Sequence, residues 1–165
     1  MKTHCNYKSN FLNVKAKMKV RIKRLNENAV VPFKKHERDF CYDVTAVSVE
    51  EISPCVYRYG TGLAFEIVKD DRFRPYVTFS LDFRPRSSVW KTGMVLSNCT
   101  GTIDEGYRGE VCAVFYHVLP NMPKYEVGDR IGQIKIGATD PLEFEVVEEL
   151  GDTDRGDGCF GSTGK

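Results

Sequence analysis

Asn98-Cys-Thr-Gly-Thr-Ile-Asp-Glu-Gly-Tyr-Arg-Gly-Glu110 is the stretch on which the fold turns. Glycines at 101, 106 and 109 bracket one carboxylate, Asp104, and apolar strand-like runs stand on either side, 94–96 before it and 111–118 after it. Glycine permits tight turns and lets a ligand approach the backbone closely. The pattern therefore reads as a β-hairpin that holds Asp104 and Tyr107 at its mouth. A carboxylate and an aromatic ring beside such a turn suit a small polar ligand with a flat or sugar part. A plain hairpin with a solvated acidic turn fits the same letters.

Working outward, the pattern stays β. Alternation begins at Met18, with Met18, Val20 and Ile22 facing one way and Lys19, Arg21 and Lys23 the other, as in a half-buried strand. Further strands are predicted over 42–49, 62–68, 76–83, 94–97, 111–118, 130–136 and 142–147, with proline and glycine punctuating between them. The connection between Val68 and Phe83 is long enough to suggest a surface insertion. No stretch keeps helical periodicity beyond about two turns. Many short strands without helices imply an all-β sandwich, barrel or jelly roll over residues 18–150.

The chain of 165 residues is expected to form one domain with a real core. A net charge of +1 argues against general nucleic-acid or membrane binding. The charge is unevenly spread, however. Residues 1–38 carry eleven Lys or Arg against two Glu, and residues 139–165 carry eight Asp or Glu against two Lys or Arg. Residues 1–17 read as a basic tail without stable structure, and Met18 is a candidate alternative start. Residues 151–165, with five glycines and three aspartates, read as an arm that cannot fold alone. The six cysteines form no Cys-x-x-Cys pair and the three histidines are scattered, so no structural zinc site is expected. With no secretory or membrane-spanning segment, the cysteines are expected to be reduced, buried thiols in a cytoplasmic protein. The Asn98-Cys-Thr100 sequon then carries little meaning.

Five segments stand out in order: Asp39-Phe-Cys-Tyr-Asp-Val-Thr-Ala46, Pro85-Arg-Ser-Ser88, Gly101 to Glu110, Gly128-Asp-Arg-Ile-Gly-Gln133, and Arg155-Gly-Asp-Gly-Cys-Phe-Gly-Ser-Thr-Gly164. Their order and spacing resemble the five motifs of the trimeric dUTP pyrophosphatases (dUTPases), over residues 18–165. The resemblance implies a jelly roll of the β-clip type with a mobile C-terminal arm. It implies a homotrimer whose sites draw on more than one subunit, the arm closing over a neighbour's site. It also implies hydrolysis of dUTP to dUMP and pyrophosphate with Mg²⁺, which limits uracil in DNA and supplies dUMP for thymidylate synthesis.

The same resemblance assigns roles. Asp104 is the general base that orients a water toward the α-phosphorus. Tyr107 packs on the deoxyribose and excludes a 2′-hydroxyl, while Asn98, Gly101 and Ile103 belong to the hairpin that reads uracil. Arg86, Ser87 and Ser88 contact phosphates, Ser87 near the bridge to the leaving group. Gln133 lies near the phosphates, and Asp43 holds a water on Mg²⁺ as an outer-shell carboxylate. Arg155, Ser162 and Thr163 of the arm take phosphates, Phe160 covers the base, and Gly161 belongs to the same substrate-binding arm.

Three departures accompany the match: Phe40 and Cys41 in place of a small pair, Gly132 in place of an alanine, and Cys159 in place of a glycine. Two competing readings share the fold. A dCTP deaminase needs a glutamate near Val114, where 111–115 offers no carboxylate. A non-catalytic nucleotide-binding or regulatory protein would not need to keep Asp104, Asp43 and the arm.

Overall fold

The computed structural model describes residues 18–70, 73, 75–154 and 156–157. In chain order its elements are β1 (Lys19–Arg24), β2 (Tyr42–Thr45), β3 (Ser48–Ser53), β4 (Val56–Gly60), β5 (Leu63–Val68), β6 (Thr78–Arg84), a 3₁₀ turn (Ser87–Lys91), β7 (Met94–Leu96), β8 (Gly101–Asp104), β9 (Cys112–His117) and β10 (Arg130–Thr139). They make two four-stranded antiparallel sheets, ordered β2-β10-β6-β8 and β3-β4-β9-β7, with β1 and β5 paired as a ribbon. The all-β expectation holds.

Alternation decides what each strand buries. In β6, Phe79, Leu81 and Phe83 enter the core, while Asp82 turns to the other face and meets Lys135 of β10 at 2.8 Å. The core centres on Tyr59, Phe83, Phe115, Leu63, Ile131 and Val44, all fully buried. The Tyr59 and Tyr125 rings meet Phe115 edge-on at 5.8 and 5.5 Å. Such pairs add about 0.5–1.5 kcal/mol beyond their burial. The Tyr59 hydroxyl, which could not stay unpaired there, donates to the Tyr125 carbonyl at 2.9 Å.

Several boundaries differ from the sequence reading. The predicted strand 42–49 is two strands in different sheets, broken at Ala46 and Val47, where Ala46 N–H donates to Asp129 O and Val47 N–H to Gly60 O. Strand β4 is absent from the sequence expectation, because Pro54 and Gly60 mark its two ends as turns. Residues 101–104, expected within a hairpin loop, form β8 and pair with β6. The hairpin arms β7 and β9 do pair, in the opposite sheet, so this excursion ties the two sheets together.

The predicted strand 142–147 is not a strand among the described residues. Its apolar positions stand in the open, Phe144 at 87% and Val146 at 99% exposure, and the segment pairs with no described strand. The thiols also differ from expectation. Cys41, Cys55, Cys99 and Cys112 are free, but the last three are exposed. Cys55 and Cys99 sit at turns with left-handed backbone, φ 61° and 56°, and Cys112 points outward from β9. The tail 1–17 and, within the arm, residues 155 and 158–165 lie outside the described residues.

Candidate active site

Two separate depressions carry predicted residues, Asp43, Arg86, Ser87 and Gln133 in one and Ile103, Asp104 and Tyr107 in the other, and they share no lining side chain. The larger, about 450 Å³, opens at one end of the β2-β10-β6-β8 sheet. Register builds it: Asp43 of β2 lies across from Gln133 of β10, which lies across from Arg84 at the end of β6. The chain leaving β6 then delivers Arg86 and Ser87 to the same cleft.

Asp43 organises this cleft. Its Oδ1 accepts from Arg86 Nε at 3.1 Å and its Oδ2 from an Arg130 guanidinium nitrogen at 2.9 Å. The other side of Arg86 reaches Ser88 Oγ at 3.4 Å. Gln133 Nε2 donates to the Pro85 carbonyl at 3.2 Å and ties the end of β6 to β10. A guanidinium held from one side presents its remaining N–H groups as a fixed fork, the geometry that suits phosphate oxygens. Sequence reasoning misses Arg130 as a site residue, although it stands inside the quoted segment 128–133. Lys34, Lys35, His36 and Asp39 also line the cleft and are likewise missed.

The departures have physical accounts here. Gly132 is required by its neighbour: a Cβ there would stand 2.1 Å from Cζ of the fully buried Phe83 ring. Phe83 fills the space that an alanine methyl would need. Cys41 is half-buried in the cleft wall, and Phe40 lines the mouth at 78% exposure. Cys159 lies outside the described residues.

The second depression is an apolar recess of about 10 Å³, floored by Phe65, Ile67, Leu81, Ile103 and Val111 and rimmed by Asp104, Glu105 and Tyr107. A single water fills such a volume, so a nucleobase would rest against this surface rather than inside it. The loop above it is braced. Tyr107 N–H donates to the Asp104 carbonyl at 3.0 Å, and its hydroxyl to the Glu110 carbonyl at 3.1 Å. That placement needs Gly109, where a Cβ would meet the Tyr107 hydroxyl at 2.3 Å. Glu105 accepts from Phe79 N–H at 2.9 Å and pairs with Lys69, also at 2.9 Å, anchoring the connection between β5 and β6. Burial works to raise the Glu105 carboxyl, but the Phe79 bond together with the Lys69 bond and charge outweigh it and hold it below its usual range.

Asp104, at the end of β8, is exposed and makes no side-chain hydrogen bond or ion pair among the described residues. Gly101 packs beside the Asn98 side chain, with room for a Cβ at 3.4 Å. Asp104 lies opposite Ser80, four positions along β6 from Arg84, or about 13 Å. One chain therefore holds the phosphate-type cleft and the Asp104 recess apart. Strand β9, which includes Val114, carries no carboxylate. No helix among the described residues is long and apolar enough to cross a membrane.

An all-β chain with this ordered set of side chains belongs to a defined class of nucleotide hydrolases. The profile of the dUTPase family matches residues 27–164, and the chain belongs to that family. The deoxyuridine 5′-triphosphate nucleotidohydrolase of Clostridium novyi is 36% identical over 149 residues, covering 89% of this chain and 99% of that one. That of Nautilia profundicola is 36% identical over 150 residues, covering 90% and 100%. Among solved structures, a Staphylococcus bacteriophage 80alpha dUTPase with dUpNHpp superposes with a TM-score of 0.69 at 24% identity, over 89% of this chain and 99% of that chain. A dUTPase of phage phi11 of S. aureus, described with a structural Mg(II) ion, gives 0.61 at 22%, over 81% and 99%. These structural likenesses speak for the jelly-roll fold.

Proposed function

We propose that this chain is a dUTP diphosphatase that hydrolyses dUTP to dUMP and pyrophosphate in a homotrimer, each site assembled from more than one chain. The family assignment supports the enzyme class and substrate. The observation that carries the composite site is the separation on one chain of Asp104 from the Asp43–Arg86–Gln133 cleft, about 13 Å along the sheet. A second chain that places its cleft against the first chain's Asp104 closes that gap. The exposed apolar stripe Leu142, Phe144 and Val146 supports association, since a lone chain gains nothing by leaving it in water.

In this reading Asp104 accepts a proton from a water as the water oxygen bonds to the α-phosphorus. The bond from that phosphorus to the bridging oxygen breaks, and the electron pair leaves with pyrophosphate. Arg86 and Ser87 stabilise charge growing on the bridging and outer oxygens. Tyr107 packs on the sugar, and the 98–103 segment reads the base. The arm residues Arg155, Phe160, Gly161, Ser162 and Thr163 complete the clamp.

The surroundings of Asp43 bear on the metal role. Both its oxygens already accept guanidinium bonds, yet each keeps a second acceptor position. That fits a carboxylate holding a metal-bound water and does not favour direct ligation. Mg²⁺ bound to the triphosphate would supply charge neutralisation. The free cysteines fit a reducing compartment, for which we assign the cytoplasm.

The test is pyrophosphate release from dUTP, dTTP, dCTP and UTP with Mg²⁺, alongside light scattering. Strong preference for dUTP by a trimer is the expected result. Comparable kcat/KM for dTTP or dCTP, or a fully active monomer, would overturn the reading.

A further inference from the structure

The segment entering β2 carries two cations with no assigned purpose. A bridge between Phe33 and Asp43 fixes this segment beside the strand: Phe33 N–H donates to Asp43 O at 3.3 Å and Asp43 N–H to Phe33 O at 2.8 Å. The backbone that positions the Asp43 carboxylate therefore also positions the next residues, Lys34 and Lys35. The Lys34 ammonium lies 4.4 Å from the centre of the Tyr42 ring, a cation–π contact that limits its sweep. The turn is then closed from inside. Asp39 Oδ2 accepts the His36 N–H at 2.9 Å, and Asp39 N–H donates to the His36 carbonyl at 3.0 Å. A lip of the cleft is thereby built by local bonds.

The charges in that cleft do not cancel. Its lining includes Lys34, Lys35, Arg86 and Arg130 against Asp39 and Asp43. Asp43 is shared by the two arginines, and the Asp39 oxygen is engaged by backbone. Neither lysine has an ion pair among the described residues. A concave surface lined by unneutralised cations concentrates field and favours an anion over water.

From this we infer that Lys34 and Lys35 form a further phosphate-binding element, which takes the β,γ end of the nucleoside triphosphate and then holds the pyrophosphate product. The inference rests on the dUTPase reading and adds two residues to its substrate site. Arg86 and Ser87 serve the bond that breaks, and the two lysines serve the departing pyrophosphate. Lysine suits this role because its ammonium is a compact point charge whose three donors meet phosphate oxygens from any side, where arginine imposes a fixed fork.

The experiment uses the full-length protein and inorganic pyrophosphate as the probe. Calorimetric affinity for pyrophosphate and for dUMP is compared between wild type, K34A/K35A and K34R/K35R, with melting temperature and oligomeric state recorded for each. Losing two solvent-screened charge contacts predicts pyrophosphate binding weaker by roughly five- to thirtyfold in K34A/K35A. The dUMP affinity stays unchanged, and the arginine pair recovers most of the loss. In turnover, KM for dUTP rises while kcat is largely kept, and the salt dependence of kcat/KM flattens.

Equal pyrophosphate affinity in wild type and K34A/K35A, or a wild type that does not bind pyrophosphate, overturns the inference. So does a variant that loses trimer or dUMP binding in parallel, since the lip would then serve assembly. Failure of the wild type to hydrolyse dUTP would instead strike the proposed function, because pyrophosphate calorimetry reads the lip without turnover.

Discussion

Asp43 and Asp104 are both carboxylates at strand positions of one sheet, yet their surroundings are opposite. Asp43 is mostly covered and gives each oxygen to a guanidinium. Asp104 stands exposed at the end of β8 with neither oxygen engaged among the described residues. The cleft around Asp43 gathers its charged groups from one chain, whereas the recess beside Asp104 has a floor and no roof. A carboxylate already committed to two arginines holds their geometry. One left free can accept from water. On the proposed function, this difference gives organisation to the first and proton transfer to the second, with the free one open to a second chain.

The comparison breaks most sharply by mixing variants. Asp104→Asn alone should cost ~10²–10⁴ in kcat while keeping nucleotide binding, since the amide keeps the shape and loses the proton acceptor. Arg86→Ala should also be nearly inactive through loss of phosphate contact. If each site takes Asp104 from one chain and Arg86 from another, trimers refolded from an equal mixture should regain activity in about a quarter of their sites. No recovery, with mixed trimers demonstrated by mass spectrometry, would place both residues in a site made by one chain.

Asp43→Ala tests the organising role. Two cations would lose their shared partner, and removing one member of a mostly buried pair exposes the others to uncompensated repulsion. The expected outcome is a fall in kcat/KM of roughly ten- to a hundredfold, carried mainly by KM. A variant with normal KM would mean that Arg86 is positioned without Asp43.

A packing test follows from the cleft's inner wall. Gly132→Ala drives a methyl into the Phe83 ring, and overpacking of this kind costs about 1–3 kcal/mol. Denaturant melts should show the loss, and Phe83→Leu in the same chain should recover part of it. Additive destabilisation in the double variant would contradict the contact.

Much of the site is legible from sequence because motif residues are local. Asp104, Tyr107 and their glycines lie within a few positions of one another, and Gly109 proves to be dictated by the Tyr107 hydroxyl. The separation of Asp104 from Arg86 is not legible, because it depends on which rung of β6 each neighbour meets. Strand β4 is hidden by the Pro54 and Gly60 that bound it. The alternation at 142–147 is a real β pattern, but a strand also needs an edge, and no local letter supplies one. Arg130, Lys34 and Lys35 escape a sequence reading because a surface cation usually means solvation. Only the cleft brings them beside Asp43.

The smallest effect concerns a carboxylate that belongs to neither depression. Asp82 faces away from the core, pairs with Lys135 at 2.8 Å and accepts from Ser80 Oγ at 2.8 Å. Burial works to raise its carboxyl, but the Lys135 and Ser80 bonds and the Lys135 charge together outweigh that and lower it. A carboxyl lowered on folding contributes stability that is present above its ordinary value of 3.8 and is lost as pH falls through the lower folded value. Asp82→Asn should therefore cost about 1 kcal/mol near neutral pH, the worth of one charged hydrogen-bonded pair after desolvation. The gap between variant and wild type should close as pH falls from 3.8 through the lower folded value, below which the folded wild type has lost the same charge. Urea melts across that range provide the measurement. A gap that stays constant into acid would show that Asp82 contributes by shape and hydrogen bonding alone, and that its charge does not hold β6 to β10.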